Sequence, residues 1–218
     1  MMEPTDRPAD KRPAAETRSP APGTNRTRIR RHADRAVPEQ IEEFLRDGLV
    51  AHVALVVDGE PRLIPFLYQY EAGTIYIHGS PANATMRLAR DGRTVAVAVT
   101  AVDELVASKS ADMHTVNYRS VVAYGRGRRI TDTAEKRRLL DAMTARYFSG
   151  RSAPRDYEPA TDDTLDKMEL TAIDVDEASA KAREGGPKGP HDDDAAFPGS
   201  AWVRSIRPGI GSEDDEPV

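Results

Sequence analysis

Residues 50–78 read VAHVALVVDGEPRLIPFLYQYEAGTIYIH, and this stretch decides the fold. Val50 to Val57 is a run of apolar side chains broken only by His52, the composition of a β-strand. Asp58-Gly59 follows. Both central residues of a type I′ turn need φ > 0, which Asp tolerates and Gly adopts freely, so this dipeptide marks a hairpin. Arg62 to Tyr70 is the return strand, Ala72-Gly73 turns the chain again, and Thr74 to His78 is a third strand. Three strands joined by tight turns make an antiparallel meander.

Working outward, Pro38 suits a helix start, Ile41, Phe44 and Leu45 form one apolar stripe, and Gly48 stops the helix. Beyond the meander, Thr94 to Thr100 alternates Val and Ala as a fourth strand. Val121 to Ile130 is another, in which Gly125 and Gly127 predict a bulge or a close backbone approach. Asp132 and Glu135 make a capping box for a helix whose apolar face is Leu139, Leu140, Met143 and Tyr147. Glu169 to Val175 reads as a last strand and Ala178 to Arg183 as a short helix. The expected fold is mainly β with flanking helices: six or so strands that close into a small barrel.

The chain has 218 residues, which suits one domain with tails. Residues 1–33 carry almost no large apolar side chain and are expected to be disordered. The domain then spans 34–184, a loop segment 185–210 carries Trp202, and 211–218 is an acidic disordered tail. A net charge of −5 and a pI near 5.6 argue against a general nucleic-acid binder. The basic run Arg26 to His32 is therefore read as a solvated tail. With no cysteine there is no disulfide framework, thiol nucleophile or iron–sulfur cluster. The apolar runs are far short of the ~20 residues that span a bilayer, and the first twenty residues carry no secretory signal. The expected location is the cytoplasm, away from membranes.

The best local chemistry lies where the third strand exits, at Ile75 to Arg87. Ser80 is a good N-cap and Pro81 a good first helical residue. A helix from there to about Arg90 would aim its unpaired amides at a phosphate-sized anion, with Arg87 adding charge. An ordinary strand–helix turn has the same pattern. His52, His78 and His114 match no metal spacing, and no metal site is expected. Asp103 and Glu104 sit in a turn without a partner carboxylate. There is no nucleophile elbow, P-loop or dinucleotide fingerprint, and no catalytic side chain can be named. Any chemistry falls to a cofactor that the protein positions.

Four segments together carry a resemblance: Asp58 to Tyr68, the Ile75 to Ser80 exit, Asn117 to Gly125, and Lys181 to Pro187 followed by Trp202. They resemble the flavin-nucleotide-binding split-barrel proteins related to pyridoxamine 5′-phosphate oxidase, especially the nitroimidazole-resistance-like branch. The resemblance implies a six-stranded antiparallel split β-barrel that forms a homodimer, with FMN between the subunits and hydride transfer to or from a small-molecule substrate. It implies that Arg62, Leu63, Ile64, Pro65, Phe66 and Leu67 run along the flavin, with Ile77 and His78 flanking the ring or ribityl chain. Ser80, Asn83, Ala84 and Thr85 would hold the phosphate with Arg87, Arg119 and Ser120 would reach the cofactor, and Trp202 would close over it. Two departures stand out. Relatives often place a basic residue where Asn83-Ala84 stands, so Arg87, Arg119 or helix-end amides must compensate. The segment Val203 to Arg207 is basic where relatives continue apolar. Both leave room for a deazaflavin in place of FMN, for haem with His78 or His52 as axial ligand, or for a non-enzymatic binding module.

Overall fold

The computed structural model describes residues 21–22 and 26–206. The strands are β1 (Ala21–Pro22), β2 (Val50–Val57), β3 (Glu60–Glu71), β4 (Thr74–Gly79), β5 (Asp91–Ala107), β6 (Thr115–Arg129), β7 (Glu169–Arg183) and β8 (Trp202–Ser205). The helices are α1 (Ile41–Asp47), α2 (Ala84–Arg90), α3 (Thr133–Tyr147) and α4 (Asp162–Lys167). Strands β2 to β7 form a closed antiparallel ring in the order β7-β4-β3-β2-β5-β6, with β6 pairing back to β7. This is the split barrel. Strand β1 adds in parallel to β7, and β8 adds to the far end of β5.

Both hairpin turns follow from their residues. Asp58 and Gly59 take φ of 51° and 83°, and Ala72 and Gly73 take 46° and 84°, the left-handed pair that matches strand twist. Inside the ring, alternate residues interlock: Ala51, Val53 and Leu55 on β2, Phe66, Tyr68 and Tyr70 on β3, and Val95, Val97 and Val99 on β5. The α1 stripe Ile41, Phe44 and Leu45 joins this core.

The two β6 glycines act as the spacing predicts. The β6–β7 register shifts between Tyr124 and Gly125, and a Cβ on Gly125 would run into the Asp174 carbonyl. A Cβ on Gly127 would run into the carbonyl of Ala89 in α2, so this glycine lets the helix lie against the sheet.

Three expectations need correction. Ala178 to Arg183 is not a helix but the second half of β7, laddered to β6 from Tyr124↔Glu177 to Tyr118↔Arg183. Alanine's helix preference is worth less than that ladder and the burial of Ala178, Ala180 and Ala182 beside α1. Strand β5 runs on past Thr100 and takes Asp103 and Glu104 out of a turn and into the sheet, across a bulge after Val102. Part of the N-terminal segment is packed, too. Arg26 pairs with Glu177 and lies 4.8 Å over the Tyr124 ring, and Thr27 is buried. Lys181 donates to Arg31 O at 3.0 Å, and Val37 N donates to Ala180 O at 3.1 Å. Residues 1–20 and the acidic tail 211–218 lie outside the described residues.

Candidate functional site

The barrel has two outer faces. One is covered: Tyr76 on β4 and Leu170 and Ala172 on β7 form a second core with Ile130 and with Leu139 and Met143 of α3. Buried Lys136 ties α3 to α4 by donating to Leu165 O (2.7 Å) and Met168 O (2.9 Å), the last carbonyls of that short helix. The other face is left bare by the described residues. Alternation on β3, β2, β5 and β6 turns Leu63, Pro65 and Leu67, then Val50, His52 and Val56, then Thr100 and Val102, then Val122 outward together. Leu63 is 63% exposed and Val56 60%, in an apolar patch of the kind that marks an interaction or ligand site.

Of the sixteen residues expected to hold a cofactor, four border this bare face. Leu63, Pro65 and Leu67 lie on it, and Ser120 sits opposite Thr100 at its β6 edge. Phe66 and Ile77 instead point into the barrel and are buried, and Arg62 and Ile64 share that inward side of β3 opposite Leu55 and Val53. His78 is half-buried at the exit of β4, and desolvation lowers its pKa, so the imidazole stays neutral near pH 7.

The turn after β4 is built differently from the expectation. Ser80 is not the N-cap and Pro81 is not the first helical residue: helix α2 starts at Ala84, and Asn83 caps it. Asn83 Oδ1 accepts from Thr85 N (2.9 Å) and Met86 N (3.3 Å), so two helix-end amides are already satisfied. Ser80 Oγ accepts from Ala82 N at 3.2 Å, holding the turn ahead of the cap. Thr85 is buried and Ala84 has no polar side chain. The exposed cation here is Arg87, held by one 3.3 Å bond to Ala82 O.

Arg119 is committed elsewhere. Its guanidinium grips Asp103 through Nε (3.1 Å) and Nη2 (3.3 Å) and reaches Asp47 through Nη1 (3.1 Å), with Phe44 beneath it. A groove of about 470 Å³ opens beside this cluster, lined by Val50, Thr100, Val102 and the guanidiniums of Arg46, Arg119 and Arg146. Ser120 Oγ donates to Lys181 O at 3.2 Å. Trp202 lies opposite Ala107 at the end of β5, partly exposed, with Arg204 stacked on it at 4.6 Å. Because β8 pairs with β5 alone, one protomer does not set this tryptophan against β3.

A larger cleft, about 670 Å³, lies away from the bare face, between the segment leading into α1, the short β5–β6 connection and the end of β7. It holds His32 and His114, which no motif spacing joins. Among the described residues no cluster of three or more His, Asp or Glu side chains could hold a metal ion, and no helix is long and apolar enough to cross a membrane.

A family model described as pyridoxamine 5′-phosphate oxidase matches residues 37–182, about two thirds of the chain. The chain belongs to this family. Its split barrel is thus that of a family of flavin-binding proteins. Among solved structures, the flavocytochrome Anf3 from Azotobacter vinelandii is 27% identical with a TM-score of 0.75, covering 91% of this chain and 92% of that one. The FAD and heme binding protein from Mycobacterium smegmatis is 29% identical with a TM-score of 0.67, covering 82% and 91%. A 5-nitroimidazole antibiotic resistance protein from Bacteroides thetaiotaomicron, described as putative, shares the fold at 20% identity and a TM-score of 0.56, covering 68% of this chain and 90% of that chain. A search of curated proteins finds no match.

Proposed function

We propose that this protein is a homodimeric redox protein that holds a flavin nucleotide on the bare barrel face and carries haem as well. The observation that carries the reading is the extent of the two likenesses above 25% identity. The family model stops at residue 182, and the nitroimidazole-type barrel covers 68% of the chain. The flavocytochrome and the FAD- and haem-binding protein cover 91% and 82%, and so take in chain outside the family model's span.

The residues present fit a flavin. Leu63, Pro65 and Leu67 offer a flat apolar strip for a ring, and Arg87, exposed and bonded to Ala82 O, stands at the turn where a phosphate would be held. FMN is the smallest nucleotide that uses both; an FAD would extend beyond them. A bound flavin supplies hydride transfer, and a haem supplies one-electron chemistry. The chain's own part is to bind, orient and dry. The apolar face excludes water once a second protomer covers it, Arg87 pairs the phosphate charge, and neutral His78 borders the site without adding charge. Trp202 reaches a flavin only from the partner subunit, because within its own protomer it sits at the end of β5. No side chain is assigned an acid or base role.

The test is the absorption spectrum of the purified protein, taken before and after addition of FMN, FAD and haemin with removal of the excess. The reading predicts flavin bands near roughly 375 and 450 nm together with a Soret band near about 400 nm. A protein that stays colourless with every cofactor is a non-enzymatic module, and the reading fails. Flavin bands alone remove the haem half.

A further inference from the structure

Resting on the flavin half of that reading, we infer that the 470 Å³ groove at the rim of the bare face binds a substrate carboxylate, with Arg146 selecting a small apolar acid. The groove has two ends of different chemistry. Leu49, Val50 and Val102 form its apolar end, and each is more than a third exposed. Val50 lies opposite Leu67, part of the strip proposed for the flavin ring, so a ligand resting on Val50 lies beside that ring. The other end is charged: Arg46, Arg119 and Arg146 meet Asp47 and Asp103 there.

The charges at that end do not cancel. Arg119 takes both carboxylates, Asp103 through Nε (3.1 Å) and Nη2 (3.3 Å) and Asp47 through Nη1 (3.1 Å). One guanidinium thus serves two acids, and two guanidiniums remain. Arg46 Nη2 pairs with Glu42 at 3.0 Å on the exposed side of α1, and such a surface pair is weak. Arg146 has no carboxylate within ion-pair distance among the described residues. The Tyr68 phenol beneath it adds no negative charge, because burial pushes that pKa up to about 12.

Arg146 is also held in place. It is half-buried, and its Nη2 donates to Gly48 O and reaches Leu45 O at 3.5 Å. The guanidinium lies 4.5 Å over the Tyr68 ring and 5.4 Å from that of Tyr147. Gly48 lines the groove too, so this end of Arg146 sits at the groove wall. Both carbonyl contacts use Nη2, while Nε and Nη1 carry three further N–H groups. A carboxylate oxygen can therefore be met by a charge-assisted bond without breaking either contact. A guanidinium fixed in advance also loses little freedom when it binds. One unpaired guanidinium balances a monoanion, and the apolar end takes the body of an aromatic or aliphatic acid. A groove of this volume holds a small molecule.

The test is titration of the flavin-loaded full chain with benzoate, read as a perturbation of the flavin absorption bands, with benzamide as the neutral control. Wild type should show a saturable shift with benzoate and none with benzamide over the same range. Arg146→Ala should keep its flavin affinity and lose more than about tenfold in benzoate affinity. Arg146→Lys keeps the charge and should recover part of that loss. Leu49→Glu changes only an exposed side chain at the groove and should weaken benzoate severalfold by like-charge repulsion, again with flavin affinity unchanged. If flavin-loaded wild type ignores benzoate, or binds benzamide equally well, the inference is overturned while the flavin reading stands. It is also overturned if Arg146→Ala and Leu49→Glu bind benzoate as wild type does, or if they lose the flavin instead, which would make the groove part of the cofactor site. If wild type takes no flavin, both fall.

Discussion

The barrel's two outer faces come from the same strand alternation and have opposite fates. On the β4–β7 side, Tyr76, Leu170 and Ala172 lie under α3, and even a lysine of that helix is buried and donates two hydrogen bonds to α4. On the β2–β3–β5–β6 side, Leu63, Leu67, Val50, Val56 and Val122 are left in solvent. Apolar area is worth roughly 25 cal/mol per Å² when removed from water, so the covered face contributes to folding, and the bare one is left for the assembly and ligand proposed above.

That contrast can be broken by mutation. The largest effect belongs to the covered face: Leu139→Ala, at a fully buried site, should cost about 2–5 kcal/mol in urea denaturation. Leu67→Ala on the bare face should stay within about 0.5 kcal/mol for the protomer. Similar costs at both sites would erase the distinction. A charge placed on the bare face sharpens it further. Val50→Glu should leave the protomer folded and abolish the proposed dimer in light scattering, because two like charges meeting across a covered face cost several kcal/mol.

Next in size is the seam where α1 and α3 close over the barrel. Tyr68 is fully buried and donates to Leu45 O at 2.6 Å; Tyr147 accepts from Tyr68 N at 3.0 Å and donates to Leu49 O at 2.8 Å. Burial pushes the Tyr68 pKa up to about 12, with Arg146 opposing. The folded value lies above the ordinary value of 10.0, so this stabilisation is complete below pH 10 and disappears as pH rises through about 12. The wild type should lose about 2–3 kcal/mol over that interval. Tyr68→Phe should flatten the alkaline limb, at a cost of about 1 kcal/mol near neutrality for the lost hydrogen bond.

The parts of the fold that were legible in the sequence are those set by local chemistry. The φ > 0 dipeptides at Asp58-Gly59 and Ala72-Gly73, the α1 stripe and the Asp132 cap all stand where their residues demand, and Asp132 Oδ1 accepts from Glu135 N at 2.7 Å. What misled was set by partners distant in sequence. The alanines of 178–182 look helical alone and are strand only because β6 lies beside them. Arg119 looks like an anion binder until Asp47 and Asp103 arrive from other elements. The cleft holding His32 and His114 brings together residues more than eighty positions apart, and no spacing rule reaches that far.

The smaller predictions concern the turn after β4, where fold and site overlap. Arg87→Ala should weaken flavin binding about tenfold, the worth of one charge-assisted contact, with little change in stability. Arg119→Ala should do the reverse, because it breaks the Asp47–Asp103 cluster and removes no free cation. The smallest and most diagnostic change is at Asn83. Asn83→Ala removes the α2 cap and should cost about 1 kcal/mol of stability. It also frees the Thr85 and Met86 amides, so a phosphate that relies on Arg87 alone keeps its affinity, while one able to use those amides gains. Asn83→Asp caps the helix equally well and places a negative charge beside Arg87. Its stability should match wild type, and its flavin affinity should fall several-fold in low salt and recover as salt is added. An affinity that ignores this charge would move the phosphate away from the α2 turn and leave the bare face holding the flavin by its ring alone.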